Sequence, residues 1–419
     1  MRIGKSNGTS ARLSRRALLT TALAGAATLS INRSALAAAG AKPMAPAEPL
    51  KPLQIVVSLD AQRLDAFRGT ERITSSPISS GKSGHGTPTG IFSVLEKRRR
   101  HFSNLYNNAP MPYMQRLTWS GIALHEGRLP GYPASHGCVR MPRDFAKSLF
   151  GKTGIGGHVI VTRGVAAPFA ISHKALPQPI PEPSLLASID NGTMSDAIDD
   201  AKLLKASLTI TAVPDEEKAQ EKARKRKNAR PARMIIQRRS GRSLTREVQT
   251  VLTILGQTPG PIDGAMGPQT RRAIRAFQES EGLEATGKAT LSLLDRMTDA
   301  AQMERTPSAH LYVRQNFRNV YNAPVHLDDP DAALGSHVFT AIDAERDSDG
   351  TVKGFDWMGV SADTSGLSAH DALDRITLPD TVRKGLEPYL DVGASLIVTD
   401  RGMSRNNTGL GTDFVVITR

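Results

Sequence analysis

Apolar runs of strand length alternate with polar, Gly- and Ser-rich loops over the first globular segment of the chain. Gln54–Leu59, Arg63–Phe67, Ile91–Leu95 and His158–Thr162 are the clearest of these runs. Short apolar runs that Gly and Pro punctuate are typical of strands rather than helices. We therefore predict that residues 53–164 form a mainly β domain of the sandwich or barrel kind.

A different spacing begins at residue 241. Leu244, Val248, Val251 and Leu252 recur at the period of an α-helix. Glycine-rich turns then separate two further helical runs, which end near residue 298. The pattern predicts a small all-α unit of three helices over residues 241–298.

Strand-and-turn patterns return over residues 308–419, so we predict a β-rich C-terminal region. Residues 311–314, 334–340 and 394–402 echo runs of the first domain in the same order. One interpretation is a degenerate repeat of the first domain, which would lack its chemistry. The alternative is an unrelated β-rich module, because short β patterns are weak signals.

Proline and charge mark the connections between these segments. We predict linkers at residues 40–52 and 299–307 and a longer one at 165–240, which is rich in Pro and then basic. Its basic centre, Lys222–Lys227, has no interleaved aromatic residues, so we expect a solvated linker that binds polyanions and no nucleic-acid site.

The first residues resemble an export signal. Ser14–Leu19 contains twin arginines, a modestly apolar stretch follows, and Ala35-Leu36-Ala37 provides an A-x-A cleavage site. The apolar stretch is too short for a stable membrane span. We therefore expect residues 1–39 to be a signal peptide, the protein to work in the periplasm or cell wall, and the membrane to be a partner only during export. The Tat and Sec routes both stay open.

Net charge and cysteine content restrict the partners and the type of reaction that the sequence predicts. The formal net charge is +14, which favours anionic surroundings such as wall polymers. Cys138 is the only cysteine, so it has no partner for an intramolecular disulfide. It lies within Ser135-His136-Gly137-Cys138-Val139-Arg140. A thiolate of low pKa beside histidine and arginine is typical of a cysteine nucleophile, and the alternative is a small buried hydrophobic residue.

Two histidines are candidates for the base that such a thiol needs. His136 lies two positions before Cys138, and His125 ends an apolar run that resembles a neighbouring strand. A hairpin over Glu126–Ala134 would return His125 to Cys138. Gly137 lacks a Cβ and would let backbone N–H groups approach a carbonyl oxygen.

A zinc site is a competing interpretation of the same side chains. Cys138, His125 and His136, with His101 or His85, could supply ligands, but the C-x-x-C and H-x-x-x-H spacings of zinc sites are absent from the sequence. We therefore expect neither a metal nor a cofactor.

His125, the spacer and the Ser-His-Gly-Cys motif resemble the signature of bacterial L,D-transpeptidases, and Thr87–Phe92 also fits. The resemblance implies that Cys138 attacks a peptidoglycan tetrapeptide stem at the L-centre carbonyl of its third residue and releases D-alanine. The acyl group then passes to an amine of a second stem, which gives a 3→3 cross-link. It further implies that His125 is the general base, held by a backbone carbonyl, and that Ser135, His136, Gly137 and Arg140 support the loop, its oxyanion hole and the acyl-donor site.

The helical segment resembles a small peptidoglycan-binding domain. Leu252, Gly256 and the Ile262-Asp263-Gly264 turn, followed by Phe277 and Gln278, carry this resemblance. It implies that the partners are stem peptides and the sacculus. The predicted function is thus an exported L,D-transpeptidase of cell wall biogenesis. The alternatives are a non-catalytic wall-anchoring protein and a cysteine L,D-carboxypeptidase that uses water as the acceptor.

Overall fold

Two large β-sheets and a helical unit make up the described part of the chain. The computed structural model describes residues 50–105, 107–180, 230–363, 368–401 and 413–418. The predicted signal peptide and the basic centre of the long linker lie outside these residues.

Strands dominate both halves of the chain. In the first half they are β1 (Leu53–Ser58), β2 (Arg63–Arg68), β3 (Glu71–Pro77), β4 (Gly90–Ser93), β5 (Glu96–Arg98), β6 (Met114–Arg116), β7 (Ala123–Glu126), β8 (Val139–Met141), β9 (His158–Thr162) and β10 (Phe169–Ile171). In the second half they are β11 (Arg233–Arg238), β12 (Ala309–Gln315), β13 (Arg318–Leu327), β14 (Ser336–Arg346), β15 (Val352–Ser361), β16 (Ile376–Thr377), β17 (Ser395–Thr399) and β18 (Val416–Ile417). The helices are α1 (Arg143–Lys152), α2 (Gly241–Ile254), α3 (Pro268–Ser280), α4 (Leu291–Ala300), α5 (Ala369–Asp374) and α6 (Asp380–Leu386), with a 3₁₀ turn at Glu387–Tyr389.

The first sheet has six strands in the order β18-β4-β9-β1-β2-β3. β9 is buried along its whole length because the sheet is covered on both faces, which explains its continuous apolar run. Val159 and Val161 pack on one face with Leu149 of α1, and Ile160 packs on the other face against the second sheet. A smaller sheet, β5-β6-β7-β8, shares the core of the first face.

The second sheet has eight strands in the order β10-β15-β14-β17-β11-β12-β13-β16. Its own core lies on the face that α5 and α6 cover, and includes Leu311, Phe339 and Leu386. The mainly β first domain and the β-rich C-terminal region are thus confirmed as fold classes.

The ends of the predicted 165–240 linker are wrong. Phe169–Ile171 pairs with β15, and Arg233–Arg238 is an inner strand of the second sheet, between β17 and β12. The prolines and charged residues of this region led to the prediction of a linker. The two strands were therefore not predicted, and their partners are distant in sequence. Val416–Ile417 likewise crosses to the edge of the first sheet, beside β4, which the sequence did not indicate.

The predicted three-helix unit is confirmed as α2, α3 and α4. Val248, Ile274 and Leu294 belong to one buried cluster that the three helices share. The unit lies between β11 and β12, which pair with each other up to Arg238 and Ala309. The helices are therefore an insertion at the end of a hairpin of the second sheet.

Candidate active site

His125 lies in β7 and Cys138 directly precedes the neighbouring strand β8, and both side chains reach one cavity. β7 and β8 pair in parallel, with Leu124 opposite Val139 and His125 opposite Arg140. The predicted hairpin between them is therefore wrong, because a hairpin joins antiparallel strands and a parallel pair needs a crossover. Alternate residues of a strand share a face, so Ala123 and His125 lie on the same face of β7. Both His125 and Cys138 line a cavity of about 950 Å³.

The ring of His125 is buried and fixed. Only 7% of the residue is exposed, and Nδ1 lies 2.6 Å from the carbonyl oxygen of Glu126. A carbonyl oxygen only accepts, so Nδ1 carries the hydrogen and Nε2 is the basic nitrogen. Burial lowers the pKa of His125 to about 4, with the charge of Arg140 acting in the same direction. The imidazole is therefore neutral at neutral pH.

The thiol of Cys138 is protonated in the resting site. Its Sγ–H donates to the carbonyl oxygen of Gly121 at 3.4 Å. Burial raises the pKa of this thiol above its usual value, and the nearby charges of Arg140 and Arg116 oppose that rise without cancelling it. The expected thiolate of low pKa is therefore wrong: desolvation outweighs the two cations. A thiol of this kind needs a base to accept its proton when it attacks.

Ser135 and Gly137 hold the loop before β8 in place. The Ser135 hydroxyl donates to the Cys138 carbonyl oxygen at 2.5 Å and accepts from the Gly137 N–H at 3.1 Å. Gly137 has φ +113, and a Cβ at this position would lie 2.6 Å from Cδ1 of Ile122. The positive φ favours glycine here, and the terminal methyl of Ile122 would have to move to admit a Cβ. Because its N–H is engaged by Ser135, Gly137 does not supply the oxyanion donor that its sequence position suggested.

Thr87 ties a second loop to this motif. Its hydroxyl donates to the Gly137 carbonyl oxygen at 2.8 Å and accepts from the Gly81 N–H at 2.9 Å. Ser79 forms a backbone bridge with Arg140, on the far side of the cysteine. The 79–90 loop thus braces the nucleophile loop on both sides.

His136 and Arg140 lie at the cavity wall. His136 is exposed, and its ring lies 4.7 Å from the ring of His85, measured between centroids. Arg140 is half-buried and faces the same cavity as Arg143, which forms a 3.3 Å ion pair with Glu126. The wall therefore carries net positive charge near the buried histidine.

Several lining residues had no signal in the sequence. Residues 101–105 and 107–112 contribute one side of the cavity, and Arg116 enters it from β6. Arg116 is held by a 2.8 Å ion pair with Glu96 and lies 3.4 Å from Nε2 of His101. Among these residues, His101 was considered only as a zinc ligand, and Gly121 could have been inferred because it directly precedes the run that ends at His125.

The zinc interpretation has no geometric support in the described ranges. No group of three His, Cys, Asp or Glu side chains there is placed to hold a metal ion. His85 lies beside His136, and His101 lies beside Arg116. The cavity lining brings a thiol and a neutral imidazole into one site.

Two segments of the chain match known families. Residues 52–161 match the L,D-transpeptidase catalytic domain. Residues 241–297 match a putative peptidoglycan binding domain. Both resemblances inferred from the motifs are thereby confirmed for these two segments. No curated protein matches the chain.

Solved structures of L,D-transpeptidases are similar to the catalytic segment. One from Stackebrandtia nassauensis is 26% identical, with 27% of this chain and 57% of that chain covered and a TM-score of 0.26. L,D-transpeptidase 1 of Mycobacterium tuberculosis is 27% identical, with 26% and 62% covered and a TM-score of 0.24. One from Xylanimonas cellulosilytica is 27% identical, with 27% and 62% covered and a TM-score of 0.25. The chain thus spans about three fifths of the length of these structures.

Proposed function

We propose that the protein is an exported, cysteine-dependent L,D-transpeptidase that forms 3→3 cross-links in peptidoglycan. The observation that carries the proposal is that a protonated Cys138 thiol and a neutral, Nδ1–H His125 line one cavity. The match to the catalytic domain family supports the reaction class. In this proposal Cys138 is the nucleophile and His125 the general base and acid.

The reaction follows from these protonation states. As Sγ of Cys138 attacks the L-centre carbonyl carbon of the third stem residue, its proton moves to Nε2 of His125. The tetrahedral intermediate collapses, the C–N bond to D-alanine breaks, and the same proton goes to the leaving amine. An amine of a second stem then attacks the thioester, and its proton passes through His125 to the departing thiolate. The net result is one amide exchanged for another.

Charge on the cavity wall suits an anionic peptide. Arg116, Arg140 and Arg143 all line the cavity. Stem peptides carry carboxylates at their D-centres, and arginine binds carboxylates with two parallel hydrogen bonds. We propose that Arg140 binds the acyl donor and that the tetrahedral oxyanion is stabilised by it and by the backbone N–H groups of the 136–138 loop other than that of Gly137.

The helical unit would hold the enzyme at its substrate. The match of residues 241–297 to a peptidoglycan binding domain supports the sacculus as the partner. Two domains of this kind also support a site of action outside the cytoplasm, and we propose that residues 1–39 direct export. None of the described helices is long and apolar enough to cross a membrane.

Product analysis tests this function. The purified chain is incubated with disaccharide-tetrapeptide, and the products are weighed, with Cys138→Ala in parallel. Cross-linked dimers that lack one D-alanine, formed only by the wild type, are the expected result. Tripeptides alone would show that water is the acceptor and replace the transferase by a carboxypeptidase. Unchanged substrate under conditions where the sacculus is bound would favour the wall-anchoring alternative.

A further inference from the structure

The two large sheets share one topology. The first contains the order β4-β9-β1-β2-β3, and the second contains β14-β17-β11-β12-β13. β1 and β9 are parallel, as are β11 and β17, and the other neighbouring pairs of both series are antiparallel. In both series, the central parallel pair consists of the first and the last strand of that series along the chain.

Registers and irregularities also correspond. Gln54 lies opposite His158 and Phe67 in the first sheet, as Arg233 lies opposite Ser395 and Arg314 in the second. The second and third strands of the first series shift register between Ala66 and Phe67, and those of the second series shift between Val313 and Arg314. Those two positions are equivalent in the common register. Bulges are specific local features, so their coincidence indicates a duplicated fold.

The equivalent of the nucleophile is an arginine. α1 and α6 both begin after a proline, Pro142 with φ −58 and ψ 148 and Pro379 with φ −58 and ψ 151. Cys138 lies four residues before Pro142, and Arg375 lies four residues before Pro379. Arg375 therefore occupies the position equivalent to Cys138. Its guanidinium donates to the carbonyl oxygens of the 328–333 loop, which follows β13 as the 79–90 loop follows β3. At the position equivalent to Cys138, the second copy therefore carries a side chain that fastens the facing loop.

The copies pack face to face and exchange edge strands. Equivalent residues meet in one buried cluster, and the Ser395 hydroxyl lies 2.9 Å from Nε2 of its counterpart His158. β10 leaves the first copy and pairs with β15 of the second sheet. β18 leaves the second copy and pairs with β4 of the first sheet. Neither sheet is complete without the other half of the chain.

The exchanged strand β18 lies against the loop that braces the active site. Val416 lies opposite Ile91, and a Cβ on Gly90 would lie 2.0 Å from the Val416 carbonyl oxygen. The Thr418 N–H donates to the Thr89 carbonyl oxygen at 2.9 Å, and the Thr418 hydroxyl donates to that of Thr89 at 2.8 Å. Thr89 is two residues from Thr87, whose hydroxyl donates to the carbonyl oxygen of Gly137.

We propose that the second copy is a positioning unit of the catalytic site and acts through Thr418, Thr89 and Thr87 on the loop that carries Cys138. Thr418 and Thr87 are positioning residues, since neither touches the reacting atoms in this mechanism. The proposal rests on Cys138 as the nucleophile, and it does not depend on which acyl group the thiol accepts.

Alkylation of Cys138 by iodoacetamide in the full chain tests the proposal. Because Cys138 is the only cysteine, intact mass reports the rate directly, and rates are taken across a range of pH. We expect Thr87→Val to slow alkylation about tenfold and Thr418→Val about threefold, in line with one lost hydrogen bond each. Thr418→Ser should restore the wild-type rate. The double variant should be no slower than Thr87→Val alone, because the two residues act in series.

The matched control is Thr399→Val, which removes a buried hydroxyl bonded to Ser336 at 2.8 Å in the second sheet. It should leave the rate and its pH profile unchanged. Equal slowing by Thr399→Val and Thr418→Val, no slowing by Thr418→Val, or multiplicative effects in the double variant would each overturn the proposal. Normal alkylation without D-alanine release by the wild type would instead contradict the proposed function and leave the positioning role standing.

Discussion

Nδ1 of His125 lies 2.6 Å from the carbonyl oxygen of Glu126, the next residue along the same strand. The contact fixes both the tautomer and the rotation of the ring, since only an N–H can face a carbonyl oxygen. Burial keeps the imidazole neutral, with a pKa of about 4. Because the imidazole is unprotonated at neutral pH, it is able to accept a proton over the whole neutral pH range.

His125 and His136 should differ sharply when each is replaced by alanine. We expect His125→Ala to slow acylation by a carbapenem-type β-lactam by about 10²- to 10⁴-fold, the range for one well-placed base. His136→Ala should slow it by less than about tenfold, because this exposed ring contacts His85 and lies outside the proton path. Intact mass against time measures both rates. Equal losses in folded variants would require the two roles to be exchanged.

The pH profile should show the low pKa of His125. A general base works in its unprotonated form, so the acylation rate should fall as the pH drops through about 4, and should stay level from there through 6.5, the usual histidine value. Protonation of His125 also favours the unfolded state below pH 6.5, because the folded pKa is the lower one. Circular dichroism at each pH therefore accompanies the rates. A fall centred near 6.5 in folded protein would contradict the buried neutral base.

Gly137 should tolerate a side chain poorly. Gly137→Ala places a Cβ at φ +113, a backbone conformation that L side chains rarely adopt, so it should destabilise the fold by about 1 to 3 kcal/mol and slow acylation. Gly84→Ala is the matched control, with φ +78 and no atom within 4 Å of the added Cβ. It should cost only the backbone strain, about 1 to 2 kcal/mol. Thermal unfolding compares the two variants, and an unchanged acylation rate in folded Gly137→Ala would contradict the need for glycine at this position.

The sequence predicted the parts of the fold that local pattern determines. The paired strands Leu53–Ser58 and Arg63–Arg68 and the three helices were predictable, because alternation and helical period act over a few residues. β10 and β18 were missed because they have only three and two residues, and β11 because it follows a basic stretch. All three pair with strands far away in the chain. At the site, the motif proposed Cys138 and His125 as candidates, which do line one cavity, but the parallel pairing of β7 and β8 was not predicted.

The raised pKa of Cys138 shows a second limit. The flanking residues predicted cations beside the thiol. The charge of Arg140 does act to lower the pKa of Cys138, but the net shift of that pKa is upward. Burial, which acts in the other direction and is larger, depends on Gly121 and on the loops that close the cavity. Desolvation is a property of the assembled site and cannot be read from flanking residues.

Removal of the helical unit should leave the catalytic activity of the chain on small soluble substrates unchanged. β11 and β12 still pair at Arg238 and Ala309, and the Arg239 N–H donates to the Ser308 carbonyl oxygen at 2.9 Å. Residues 241–306 can therefore be replaced by an Asn-Gly turn that closes the hairpin. We expect sedimentation with isolated sacculi to fall and turnover of small soluble muropeptides to stay unchanged, since the unit raises effective concentration only. Undiminished sedimentation would place the anchor elsewhere in the chain.

The central claim is that the Cys138 thiol takes the acyl group of a tetrapeptide stem. Release of D-alanine from purified disaccharide-tetrapeptide, measured for the wild type and for Cys138→Ala under the same conditions, tests this claim most directly. The change removes one sulfur atom from a site that glycine and serine contacts hold in place, so the variant should fold normally. We predict steady release by the wild type and none by the variant. Equal release from both, or none from a folded wild type, would contradict the assignment of Cys138 as the nucleophile of an L,D-transpeptidase.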